Sequence, residues 1–122
     1  MSTNMRATAE SRLDGVVSPN SQADATAAVA RLQANAEAAC NLLRSMAHEG
    51  RLIILSLLSL KERSVMELEQ SLDLRQPAVS QQLARLRSDN LVTTRRDGKM
   101  IYYSLASEEA RAIIKVLTGC FG

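Results

Sequence analysis

Gln76, Ser80, Gln81 and Arg85 crowd one side of the stretch QPAVSQQLARLR, residues 76–87, and no acidic residue stands among them. Their chemistry is hydrogen bonding rather than bond making. A carboxamide offers a donor and an acceptor side by side, a hydroxyl offers either, and a guanidinium offers a rigid fork of donors. Such a set suits the edges of planar bases and the oxygens of anions. Enzymatic chemistry has no counterpart in the chain. No nucleophile stands with a nearby base, no carboxylate pair frames a pocket, and no glycine loop is spaced to cradle a phosphate. The chain is therefore expected not to be an enzyme and to need no cofactor.

The same stretch supplies the scaffold for those side chains. Val79, Leu83 and Leu86 recur at i, i+4 and i+7, the spacing of a buried helical stripe. Pro77 suits a first helical turn, where its missing N–H has no partner to lose. A helix over residues 76–89 is expected. Its outer face forgoes the opposite-charge pairs that ordinary surface helices gain, which asks what that face touches.

Neighbouring segments complete a small fold. The run DATAAVARLQANAEAACNLLRSM predicts a helix over 24–46, with Ala28, Leu32, Ala36, Ala39 and Leu43 forming a narrow face that suits close helix approach. RLIILSLLSL predicts a second helix over 51–60 that buries Leu52, Ile53, Leu55 and Leu58. SVMELEQSL opens with Ser64 three residues before Glu67, a capping box, and predicts a short helix ending near Leu72. After the turn DLRQ and the helix of the opening stretch, the period changes from 3.6 to 2. LVTTRR, DGK and MIYYSL then read as a β-hairpin, with Asp97-Gly98 as the turn signal. Tyr102 and Tyr103 should face opposite ways on its second strand. ASEEARAIIKVLTGCF predicts a last helix capped by Ser107, with Ala110, Ile113, Ile114 and Leu117 inward. The expected fold is mainly α with a small β-hairpin and five helices. Residues 1–21, without periodicity, are expected to form a disordered tail, and 22–122 the domain.

Composition agrees with a modest soluble core: 122 residues, 46% of them hydrophobic, with a net charge of +2. The charge is unevenly spread. Residues 75–99 hold six Lys/Arg against two Asp/Glu, whereas residues 1–74 hold seven against nine. The longest apolar run, LIILSLLSL, falls well short of the roughly 20 residues a membrane span needs. The opening MSTNMRATAESRLDGVVSPNSQ lacks the basic-then-apolar order of a secretory leader, so a cytoplasmic protein without membrane attachment is expected. Cys40 and Cys120 have no CxxC or Cys/His spacing, and two idle thiols are the plain reading.

Short helix, tight turn, second helix and basic hairpin is the order of a winged helix-turn-helix, in which the second helix enters a DNA major groove. Gln76, Ser80 and Gln81 are then base-reading candidates, since Gln bonds adenine in a bidentate fashion and Ser bonds either kind of edge. Arg85 serves guanine or phosphate. Arg95, Arg96 and Lys99 form the wing, where each cation that neutralises a phosphate releases counterions. Arg75 and Arg87 flank the helix as further phosphate candidates, and Ser64 offers an amide and hydroxyl at a helix start, although capping alone explains it. Only three aromatic residues occur, Tyr102, Tyr103 and Phe121. Unpaired bases would have little to stack on, which favours duplex DNA.

The segments LLRSMAHEGRLIILSLL, SVMELEQSLDLRQPAVSQQLARLRSDNLV and TRRDGKMIYYSL resemble the ArsR/SmtB family of bacterial winged-helix repressors over residues 36–121, and within it the subgroup of NolR, HlyU and BigR. The resemblance implies a homodimer joined through the first and last helices, bound to a palindromic operator. It places Gln76, Ser80 and Gln81 on base-reading positions, Arg85 on a base or backbone contact, and Pro77 where several relatives carry Ser. Metal sensing is not implied. Ser64, Val65 and Met66 supply no thiolate where one family site has cysteines, Ser107 and Glu109 do not match another, and the lone histidine, His48, reads as a cap or packing residue. HlyU-like relatives pair a cysteine on the second helix, where this chain has Ser56, with one at the end of the last. Here Cys40 and Cys120 stand on the first and last helices instead. A switch through these thiols, set by an oxidant or reactive sulfur, is thus an alternative to repression without an effector. A winged-helix module that binds protein would carry acidic or apolar residues on the outer face of residues 76–87.

Overall fold

A computed structural model describes residues 21–72 and 76–122, with the side chains of Gln76 and Pro77 left aside. Residues 1–20 of the expected tail, and the turn that contains Arg75, lie outside the described residues. The elements run α1 (Gln22–Ala34), α2 (Ala36–Met46), α3 (Glu49–Leu60), β1 (Arg63–Ser64), α4 (Val65–Leu72), α5 (Gln76–Ser88), β2 (Val92–Asp97), β3 (Met100–Leu105) and α6 (Glu108–Phe121). Of the described residues, 21–41 and 115–122 fall in one compact unit and 42–114 in another.

Six helices are described rather than the five expected, because the long first helix breaks at Asn35. This residue leaves helical geometry at φ −116° and ψ 16°. Its amide bonds Leu32 O at 3.0 Å, three residues back, and its side-chain Nδ2 donates to Arg31 O at 2.9 Å. A short amide side chain competes with the backbone in this way. Since Ala39 N–H returns to Asn35 O at 3.0 Å, the break occupies a single residue and leaves the apolar spacing nearly intact. In α1 itself no residue is buried, and Ser21 caps it by accepting from Asp24 N–H at 3.2 Å.

In the unit of 42–114, Ile54, Leu55 and Leu58 of α3 meet Leu68 of α4, Val79, Leu83 and Leu86 of α5, and Ala110 and Ile114 of α6. Expectation and structure differ at Ile53, which is 47% exposed while Ile54 is fully buried. The run LIILSLL is apolar nearly all round, so its spacing could not single out one face. His48 caps α3: its Nδ1 accepts from Gly50 N–H at 3.1 Å and Arg51 N–H at 3.5 Å. Ser107 caps α6 in the same manner, accepting from Ala110 N–H at 3.1 Å.

The hairpin is part of a three-stranded antiparallel sheet of order β1-β3-β2. β1, only two residues long, pairs Arg63 with Tyr103 and Ser64 with Tyr102. It anchors the hairpin to the start of α4. Tyr103 packs against the core. Asp97 pairs with Met100, so the two turn residues are Gly98 and Lys99, one step later than the Asp-Gly signal suggests. Gly98 has φ 64°, and among the described residues the only other positive φ belongs to Asn90. A positive φ at the first turn position followed by a negative one is the type II′ geometry that matches strand twist.

Candidate nucleic-acid interface

α5 is fixed at its inner face and at its C-terminal end. Val79, Leu83 and Leu86 are fully buried, and Ser80, Gln81, Arg85 and Arg87 are exposed. At the end, Asn90 adopts φ 61°, donates its N–H to Arg87 O at 3.0 Å, and lets Leu91 N–H reach Leu86 O at 2.9 Å. These two bonds make a Schellman motif with asparagine in the left-handed position and buried Leu91 beyond it. Gln82 faces the other way. A Cβ built on Gly50 would fall well inside contact distance of the Gln82 carboxamide, so the glycine lets that side chain lie against the start of α3. Gln82 Oε1 is buried and accepts no hydrogen bond from the described residues.

Arg85 is held from one turn further along. Its Nε donates to Asp89 Oδ2 at 2.7 Å, while Ser45 Oγ of α2 donates to the same oxygen at 2.6 Å. The Ser45 hydroxyl first, and Arg85 second, hold the Asp89 carboxyl below the usual aspartate range. Arg51 ties the end of α2 to α3, with its Nε on Ser45 O at 2.7 Å and its Nη2 on Arg44 O at 3.2 Å. The acid that the exposed face lacks thus stands just past its end. An exposed i,i+4 pair of this kind adds only about 0.3–0.5 kcal/mol. Its use is to aim Arg85, whose side chain remains 52% exposed.

On the wing, Arg96 and Lys99 are exposed, with Lys99 in the turn itself. Arg95 is engaged. It makes a forked contact with Glu62 and lies over the Tyr102 ring, 4.6 Å from the centroid. Arg95 first of all holds the Glu62 carboxyl below the usual glutamate range. Ser64 is 2% exposed, and its hydroxyl and amide both serve the capping box with Glu67 at 3.2 Å. The phosphate role expected of Ser64 has little surface to act from, and capping accounts for its hydrogen bonds.

Gln76 lies in the first turn of α5, and its side chain, like all of Arg75, is outside the described residues. Cys40 and Cys120 are free and exposed. Among the described residues no three His, Cys, Asp or Glu side chains gather to hold a metal ion, and no helix is long and apolar enough to cross a membrane. Glu62, Asp89, Ser45 and Gln82 escaped the sequence reading. Only Asp89, four residues from Arg85, carries a local signal that would have found it.

The sequence profile described as bacterial regulatory protein, arsR family, matches residues 48–94, from the cap of α3 into β2. The biofilm growth-associated repressor of Agrobacterium fabrum is 46% identical over 80 residues, covering 66% of this chain and 68% of that protein. This chain belongs to the ArsR family. The transcriptional activator HlyU of Vibrio cholerae is 45% identical over 86 residues, covering 70% of the chain and 80% of HlyU. The crystal structure of the transcriptional repressor BigR from Xylella fastidiosa superposes with a TM-score of 0.73 at 37% identity, over 75% of this chain and 94% of that one. The ArsR-family chain is accordingly a DNA-binding transcriptional regulator with a winged helix-turn-helix, and not an enzyme. In it α4 and α5 are the helix-turn-helix, and β2 and β3 are the wing.

Proposed function

We propose that the chain acts in the cytoplasm as a homodimeric repressor that binds a palindromic operator, joined through its first and last helices. α5 enters the major groove, Gln76, Ser80 and Gln81 read base edges, and Arg75, Arg85, Arg87, Arg96 and Lys99 meet the backbone or a guanine. The observation that carries this reading is the acid-free exposed face of α5, held at its buried stripe and at its Schellman end. Groove readers gain from such rigidity, because side chains locked by packing lose less freedom on binding. Two copies related by a twofold would place their α5 helices roughly 34–36 Å apart, one turn of DNA. Two of the relatives named above are repressors and one, HlyU, is an activator, and the repressor reading follows the two.

The test begins by recovering genomic fragments retained by the protein and measuring binding to the enriched site over a range of salt. Affinity should fall steeply with salt. Gln81→Ala should erase more of the preference for that site over a scrambled duplex than Lys99→Ala, which should weaken both alike. Retention of no duplex at all overturns DNA binding, and equal weakening of every sequence by both substitutions overturns groove reading.

A second reading rests on the two thiols, which are free, exposed and carried by the same compact unit. Oxidation by hydrogen peroxide would join Cys40 and Cys120 as a disulfide, within a chain or across the dimer, with release of two waters; reactive sulfur is the other candidate effector. A lower operator affinity after peroxide, restored by reductant and absent in Cys40→Ser, would support it. Identical affinities in all three states would leave repression without this switch.

A further inference from the structure

We infer that Arg95 is not one of the wing's DNA contacts: with Glu62 it forms a clasp that fixes the wing on the body, and Glu62 is the wing's positioning residue. The inference rests on the reading that this wing approaches DNA, and it revises which cations meet the backbone.

The Arg95 side chain remains 52% exposed, but its Nε edge is committed to Glu62 and its outer edge stands beside a second carboxylate, that of Asp97. Its Nε donates to Glu62 Oε1 at 3.0 Å and Oε2 at 2.9 Å, its Nη2 donates to Oε1, and its Nη1 lies 3.9 Å from Asp97 Oδ2. Tyr102, directly opposite in the sheet, supports one face of the guanidinium. Glu62 lies between α3 and β1, 33 positions from Arg95, and also accepts from Ser104 Oγ at 3.3 Å. One carboxylate of the body therefore holds both strands of the hairpin. Among the described residues the hairpin is strand-paired to the body only through the two residues of β1, and Val92, Tyr103 and Leu105 at its base pack on the core, which leaves the tip to the clasp. A two-stranded ribbon is marginal by itself, so such a tie decides where its tip points.

The energetics of exchange point the same way. To turn its Nε edge to a phosphate, Arg95 would give up one forked, charge-assisted contact for another of the same kind. It would also leave the Glu62 carboxylate unpaired and facing a polyanion. Arg96 and Lys99 pay no such exchange. Strand alternation turns Arg96 away from the Arg95 face, and Lys99 stands exposed in the turn. Because the clasped pair is neutral, it releases no counterions. Only Arg96 and Lys99 contribute to the salt dependence from the wing, each by about 0.9 in the slope for a phosphate neutralised.

The test compares the full-length parent, Arg95→Glu, Glu62→Gln, and the charge-swapped double variant Glu62→Arg/Arg95→Glu on the enriched site. Arg95→Glu should bind at least about tenfold more weakly. The swap should recover to within about threefold of the parent with an unchanged salt slope, while Arg96→Ala lowers the slope by about one. Glu62→Gln should bind no more tightly than the parent. A swap as weak as Arg95→Glu with a slope reduced by about one, or a Glu62→Gln that binds more tightly with a steeper slope, would show Arg95 on a phosphate and overturn the clasp. Amide exchange in DNA-free protein reads the clasp independently: the hairpin should exchange faster in Arg95→Glu and Glu62→Gln and return to the parent rate in the swap. Unchanged hairpin exchange in the single variants also overturns it, whereas a parent that retains no DNA overturns the underlying reading and leaves this measurement standing.

Discussion

The Ser45 hydroxyl donates to Asp89 at 2.6 Å, joining the end of α2 to the residue just past α5, 44 positions away. Asp89 also aims Arg85, so one carboxylate links a helix of the scaffold to an exposed arginine of the recognition helix.

That link should be visible in the pH dependence of stability. Asp89 is held below the ordinary aspartate range chiefly by Ser45. A lowered folded-state value means that ionised Asp89 stabilises the fold above its unfolded value, about pH 4, and that this contribution is lost as pH falls through the lower folded value. Asp89→Asn should therefore be less stable than the parent at pH 7, with the gap closing below about pH 4. Urea midpoints between neutral and strongly acid pH measure it. A constant gap would show that the ionised carboxylate is not what stabilises.

The end of α5 offers a sharper substitution. Asn90 holds φ 61°, where a Cβ is unfavourable and only glycine is at ease. Asn90→Ala should cost about 1 kcal/mol and Asn90→Gly should be neutral or slightly stabilising. Chemical denaturation of the three proteins orders them.

Gly50 and Gln82 should behave as a coupled pair. Alanine at a helical glycine gains up to about 1 kcal/mol of helix propensity, but here the added carbon displaces the Gln82 carboxamide. Gly50→Ala should stabilise a Gln82→Ala background more than it stabilises the parent, and a double-mutant cycle gives the difference. Additive effects would mean that Gln82 moves aside without cost.

Leu83 is the most direct test of what holds α5 down. It is fully buried between Val79 and Leu86 on the inner stripe. Leu83→Ala should cost about 2–5 kcal/mol in thermal or urea unfolding. A loss under about 1 kcal/mol would mean that the site collapses around the missing atoms.

Much of this architecture is legible in the chain because its signals are local. Val79, Leu83 and Leu86 declare the inner face of α5 by spacing alone, Ser64 and Glu67 declare the start of α4, and the change of period after residue 90 declares the hairpin. The misses have equally physical causes. β1 is too short to show alternation, a single asparagine ends α1 without disturbing the apolar rhythm, and a helix as apolar as α3 does not say which of Ile53 and Ile54 turns inward. At the site, the outward side chains of α5 follow from its inward ones. Their partners do not: Glu62 finds Arg95 across 33 residues and Ser45 finds Asp89 across 44, and contacts at that range leave no periodic mark.

The turn at Gly98 and Lys99 sets how this wing can grow. Two residues are the shortest connection between antiparallel strands, and Asp97 already pairs with Met100. A lone inserted residue in either strand would exchange the faces of Tyr102 and Tyr103, or force a bulge. With this two-residue turn kept, length can be added without that only as cross-strand pairs, each carrying the tip about 3.4 Å outward. The reach of the wing is thus quantised, and relatives with a longer wing and the same two-residue turn should differ from this chain by even numbers of wing residues.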